Sequence, residues 1–133
     1  MRAGILAFTL WITAALGAHA DPKEMQAVID DQLSAFQQDD FAKAMQYASP
    51  VLQQYFRTPE NFQRMVTQGY PMVWRPDTVR YLENRTEDGV HWQRVMIKDQ
   101  QGKFHVLEYR MLEVDGEWRI NGVRILDAAE FTA

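Results

Sequence analysis

The chain contains no cysteine. That single absence excludes structural disulfides, thiolate nucleophiles, zinc knuckles and a lipid-modified N-terminal cysteine. Basic charge is also scarce: 14 Lys+Arg stand against 18 Asp+Glu, a formal net charge of −4. A phosphate-reading surface normally carries the opposite excess, so nucleic acid is not an expected partner. There are three histidines, and neither a P-loop nor a G-x-G-x-x-G fingerprint occurs, so no cofactor is expected. What remains is 133 residues, 47% of them hydrophobic and 24% charged. That is the size and balance of one globular domain rather than a disordered chain.

Arg2 is the only charge before Asp21, and residues 3–17 form an apolar stretch. Ala18-His19-Ala20 then places small residues at the two positions a signal peptidase inspects. A positive start, an apolar middle and an A-x-A end predict a secretory signal peptide over residues 1–20, cleaved after Ala20. The run is shorter than the ~20 residues a membrane span needs, and no positive cluster follows it. The expectation is a periplasmic or secreted single domain over residues 21–133, with no membrane span after processing.

The first half reads as helices. Asp21-Pro22 is a capping carboxylate followed by proline, and Met25, Val28, Ile29, Leu33 and Phe36 then recur at helical spacing. Asp39-Asp40 can cap a second helix, Ser49-Pro50 starts a third piece, and Thr58-Pro59-Glu60 starts a fourth that stops near Gly69. Tyr70 to Pro76 is framed by prolines and is expected not to be a regular helix. Tyr70, Trp74 and Arg75 on this connection suit either recognition or, more simply, a plug for the end of the core.

The second half reads as strands. Residues 78–86, 90–98, 104–114 and 117–126 are rich in branched and aromatic side chains, and Asp88-Gly89 and Asp115-Gly116 are strong hairpin signals. The prediction is an α+β fold, N-terminal helices packed on a strongly curved four-stranded antiparallel sheet. With two-residue turns at the Asp-Gly pairs and a four-residue loop over 99–102, opposite residues share a face. One face then holds Tyr81, Glu83, Trp92, Arg94, His105, Tyr109, Trp118 and Arg124, and is expected to meet the helices. The other holds His91, Val95, Ile97, Val106, Val123 and Ile125, an apolar surface that suits a homodimer. A bulge near Asn121-Gly122 would swap the faces beyond it.

Within this register Glu83 lies opposite Arg94, which reads as a cross-strand ion pair. The alternative is a cone whose mouth binds a small molecule, with Tyr81, Glu83, Arg94, His105, Tyr109, Arg124 and Trp74 as candidate ligand-binding residues. His91 and His105 fall on opposite faces and far apart, so no metal site is expected. No nucleophile-elbow pattern frames Ser34 or Ser49, and no catalytic residue is assigned.

Ala48-Ser49-Pro50, Thr58-Pro59-Glu60-Asn61-Phe62, Met65-Val66, Gly69-Tyr70-Pro71 and Arg75-Pro76 together resemble the bacterial family labelled domain of unknown function 4864. The resemblance covers about residues 23–126. It implies the nuclear-transport-factor-2-like, cystatin-like roll, and it implies no activity and no functional residues. The wider superfamily includes ketosteroid-isomerase-like and polyketide-cyclase-like enzymes as well as binding modules, a likeness of fold only. The leading expectation is a non-catalytic ligand-binding or interaction module with a cone-shaped pocket. One alternative is a small acid–base enzyme with Glu83 as base and Tyr109 or His105 as donor. Another is a structural partner subunit of an envelope protein.

Overall fold

The computed structural model describes Gly4 and residues 20–132, without the side chains of residues 131 and 132. The expected signal peptide lies outside the described residues except for Gly4 and Ala20. Five helices, α1 (Pro22–Gln37), α2 (Phe41–Gln46), α3 (Pro50–Phe56), α4 (Pro59–Gly69) and α5 (Pro71–Trp74), precede four strands. The strands are β1 (Pro76–Glu87), β2 (Val90–Asp99), β3 (Phe104–Val114) and β4 (Glu117–Leu126), and a short α6 (Ala128–Thr132) follows. They form one antiparallel sheet in the order β1-β2-β3-β4.

The caps work as the sequence implies. The side chains of Asp21, Asp40, Ser49 and Thr58 each accept a hydrogen bond from a backbone N–H in the first turn of α1 to α4. Proline stands at the start of α1, α3 and α4, where its missing N–H costs nothing. The same logic corrects the expectation for Tyr70 to Pro76. Pro71 opens a single helical turn, and Arg75, kept out of the helical region before Pro76, ends it.

From α1, Met25, Ile29, Leu33 and Phe36 are buried against the sheet and the other helices. Burying such a side chain stabilises by roughly 1.5–3 kcal/mol. The sheet's inner face supplies Val95, Ile97, Leu107, Tyr109, Met111, Trp118 and Ile120.

That list departs from the expected faces on β2. The β2–β3 pairing runs Lys98↔Phe104 to His91↔Met111, one residue longer than a four-residue loop allows. Asp99 and Lys103 pair through their backbones, and Gly102 at φ 83 turns the chain inside them. Only a residue free of Cβ crowding adopts that left-handed conformation readily. One extra residue inverts β2 relative to β3. Val95 and Ile97 therefore face the helices with no exposure, while Trp92, Arg94 and Met96 face outward.

Besides a shift between Pro76 and Thr78 at the start of β1, two bulges set the faces. Leu82 and Glu83 together oppose Arg94, so Tyr81 pairs with Val95 on the inner face, while Arg85 pairs with outward Trp92. On β4, pairing passes from Met111↔Ile120 to Arg110↔Gly122 and leaves Asn121 extra. This is the bulge anticipated at Asn121-Gly122. It brings Val123 inward beside Tyr109 and sends Arg124 outward beside Glu108. The Ile120 backbone meanwhile bonds to Tyr47 and Ser49, between α2 and α3.

The surface expected to join two copies is thereby dispersed. Val95 and Ile97 are core, Val123 packs on the core, and Ile125 pairs with inward Leu107. Val106 alone lies on the outer face, and it is buried. His91 and His105 share one face rather than two, again because of the longer loop.

Candidate functional site

A cavity of about 270 Å³ lies between the helices and the inner face of β3 and β4. Phe36, Phe62, Met65, Val66 and Val73 wall it on the helical side, and Tyr109, Ile120, Gly122 and Val123 on the sheet side. Its rim is α3, which contributes Leu52, Tyr55 and Phe56. This helix has no buried residue, and Val51 and Tyr55 are 67% and 77% exposed. The β4 bulge builds the sheet wall, since without Asn121 the side chain of Val123 would point to the other face.

None of the described side chains lining the cavity carries a charge. Its polar groups are Gln32 and three phenols. Gln32 Nε2 donates to the Ala44 carbonyl at 3.1 Å. The Tyr70 hydroxyl donates to the Val123 carbonyl at 3.1 Å. Tyr109 is 1% exposed, and its hydroxyl makes no hydrogen bond among the described residues. Burial, with a smaller push from the Tyr70 phenol, raises its pKa, so Tyr109 keeps its proton and remains a donor.

Of the seven residues singled out by sequence, Tyr109 alone lines this cavity. Tyr81 faces inward at its side and ties β1 to α1: its hydroxyl is 2.5 Å from Asp30 Oδ1 and 3.1 Å from the Gln26 carbonyl. His105 Nε2 sits 2.8 Å from Asp99 Oδ2, and Asp99 Oδ1 accepts from the Gln101 and Lys103 amides, so this pair shapes the β2–β3 loop. Hydrogen bonding from His105 first, then from the loop amides, holds the Asp99 carboxyl below its usual range.

Trp74 is partly buried and packs against the core. Its Nε1 donates to Asp39 Oδ1 at 2.8 Å, and the Arg75 guanidinium lies 4.4 Å from its ring centroid. Arg75 Nη2 in turn donates to both carboxylate oxygens of Asp39, and its Nη1 donates to the Phe36 carbonyl at 3.0 Å.

Glu83, Arg94 and Arg124 gather on the outer face instead, around Glu108, which is fully buried. Arg85 Nη2 and Arg94 Nη2 donate to its two oxygens at 2.6 and 3.1 Å, and Arg124 Nη2 stands at 3.7 Å. Glu83, Glu87 and Glu130 pair with the far sides of Arg94, Arg85 and Arg124. Burial pushes the Glu108 carboxyl up, but the Arg85 and Arg94 hydrogen bonds and the neighbouring positive charge outweigh it, leaving it below its usual value. The Glu83–Arg94 ion pair is real, at 2.6 Å, but adjoins the bulge rather than a pocket.

Sequence reasoning missed Gln32, Phe62, Val66 and Val123 as cavity residues. Val123 was within reach once the Asn121-Gly122 bulge was taken into account. The helical residues read only as core, and nothing in their spacing separates a packed stripe from a cavity wall. Among the described residues no group of three or more His, Cys, Asp or Glu could hold a metal, and no helix is long and apolar enough to cross a membrane.

The fold has relatives among solved structures. A SEC-C motif containing protein from Rhodopseudomonas palustris aligns with TM-score 0.57 and 13% identity, over 76% of this chain and 77% of that one. An NTF-2 like protein of unknown function from Shewanella oneidensis MR-1 aligns with TM-score 0.50 and 13% identity, over 79% and 98%. At that identity the likeness is one of fold, and it makes the architecture an NTF2-like α+β roll. No curated protein matches the chain. The model of one family, the domain of unknown function DUF4864, matches residues 18–133, and the chain belongs to that family.

Proposed function

We propose that this protein is a non-catalytic binding module for a small apolar molecule, held in the cavity between α1, α3, α4, α5 and the β3–β4 wall. The observation that carries this reading is the cavity itself. Close packing normally brings large aromatic side chains together, yet here they line a recess of about 270 Å³ that is open to solvent. An apolar concavity with a few polar groups is the usual form of a ligand site.

The acid–base alternative loses its base, because Glu83 faces the opposite side and is neutralised by Arg94. The partner-subunit alternative loses most of its named surface to the core. Export to the periplasm belongs to the same proposal and rests on the Arg2, apolar stretch and Ala18-His19-Ala20 pattern. Cleavage there would leave Asp21, the capping residue of α1, as the first residue. Intact mass of protein from the periplasmic fraction should begin at Asp21, and a mass that retains residues 1–20 would refute export with cleavage.

The binding test is an NMR titration of residues 21–133 with butylbenzene. Shifts should saturate and concentrate on the methyl groups of Val66, Val73 and Val123, with Leu112 on the outer face unmoved. Uniform or unsaturable shifts would remove the proposal.

A further inference from the structure

The cavity's polar groups say more about its ligand than its volume does. Of its three phenols, Tyr55 is exposed to solvent and Tyr70 is committed to the Val123 carbonyl. Tyr109 is left: buried, and without a hydrogen bond among the described residues. The residue is buried as a whole, but its oxygen still borders the cavity, where an acceptor on a ligand can reach it. It sits on β3 in the middle of the sheet, flanked by Val123 on one strand and Gln93 on the other. Packing on both sides therefore fixes its ring.

Charge decides the rest. With no cation among the described lining residues, an anionic ligand would leave water with no opposite charge to pair it. A cationic one would likewise find no carboxylate among the described lining residues. Size follows by proportion: an apolar cavity of about 150 Å³ takes a benzene, so this one suits roughly 10–12 non-hydrogen atoms.

We propose that the ligand is an uncharged, largely apolar molecule of about this size carrying a carbonyl-type acceptor, a ketone, aldehyde or ester, which takes the hydrogen bond of the Tyr109 hydroxyl. This rests on the cavity being the binding site, and deepens that reading by naming the chemical class.

The test is a cycle between ligand and residue. Butyrophenone and butylbenzene are nearly equal in size and differ in the carbonyl. Their affinities are measured by the same NMR titration for the wild type, Tyr109→Phe and Tyr70→Phe. Tyr109→Phe should weaken butyrophenone by roughly threefold to tenfold, the worth of one ordinary hydrogen bond, and leave butylbenzene within about twofold. Tyr70→Phe should not single out the ketone, because its hydroxyl is already engaged. Phenylbutyrate, the anion of similar shape, should bind more weakly than butyrophenone.

Equal changes for ketone and hydrocarbon in Tyr109→Phe would overturn the assignment, as would phenylbutyrate binding as tightly as the ketone. In either case hydrocarbon binding would still stand as evidence for the cavity. If neither neutral compound binds the wild type, the binding reading itself falls and the ligand class falls with it. Tyr109→Phe removes a hydroxyl that holds nothing in the protein, so the variant should fold, and its amide spectrum reports whether it does.

Discussion

Glu108 and Tyr109 are neighbours in β3, both are buried almost completely, and they face opposite sides of the same sheet. On the outer side a charged group is surrounded by three arginines and remains ionised. On the inner side a neutral group is surrounded by apolar side chains and has no partner. Equal burial thus yields opposite chemistry. The outer face spends nearly all its polarity within the protein, Arg94 Nε being the one buried donor there without a partner among the described residues, and the inner face leaves a phenol donor open to the cavity.

Four substitutions would break or sharpen that contrast. The largest effect belongs to the inner face: Ile97→Ala should cost about 3 kcal/mol in urea unfolding, and Met96→Ala, one residue along and facing outward, under about 1 kcal/mol. Equal costs would mean that the β2 register described above is wrong.

Next comes Glu108→Gln, expected to cost about 2–3 kcal/mol. This is less than the ~3–5 kcal/mol of a fully buried pair, because the arginines it abandons still reach water. The same variant should flatten the acid side of the stability curve. The Glu108 carboxyl titrates below its ordinary 4.5 in the folded chain. Its contribution is therefore complete above the unfolded value and disappears as pH falls through the lower folded one. Wild-type and variant curves that stay parallel below pH 5 would contradict this.

The smallest effect should be Tyr109→Phe without ligand. Removing a hydroxyl that borders the cavity and has no partner in the protein should change stability by less than about 1 kcal/mol. A loss larger than that would reveal a partner for the hydroxyl within the protein.

The elements were legible in the sequence because their ends are written in local chemistry. A capping side chain next to proline starts three helices, and Asp-Gly closes two hairpins with both residues at positive φ. The faces were less legible, since they depend on parity. Residues 99–103 look alike whether the loop holds four residues or five, and that one residue moved Val95, Ile97 and Arg94 across the sheet. The β1 bulge at Leu82 and Glu83 has no glycine to announce it. Its stabiliser is Gln93, whose amide donates to the Leu82 carbonyl from the next strand, a contact no local pattern predicts. Of the candidate site, Tyr109 was placed correctly on the helix side, and Arg94, Glu83 and Arg124 were separated from it by these three irregularities.

Asn121 has a consequence of a different kind. Its side chain accepts a hydrogen bond from Ser49 Oγ at 2.7 Å, a contact a substitution could lose at modest cost. What matters more is that a residue is there at all. β4 is read in two frames: up to Ile120 the even-numbered residues face the helices, and from Val123 the odd-numbered ones do. Asn121 is the frame shift. Replacing it alters one contact, whereas deleting it would turn Val123 and Ile125 out to water and Arg124 into the interior. The position should therefore tolerate many residue types and no change of length, a place where the fold depends on counting rather than on chemistry.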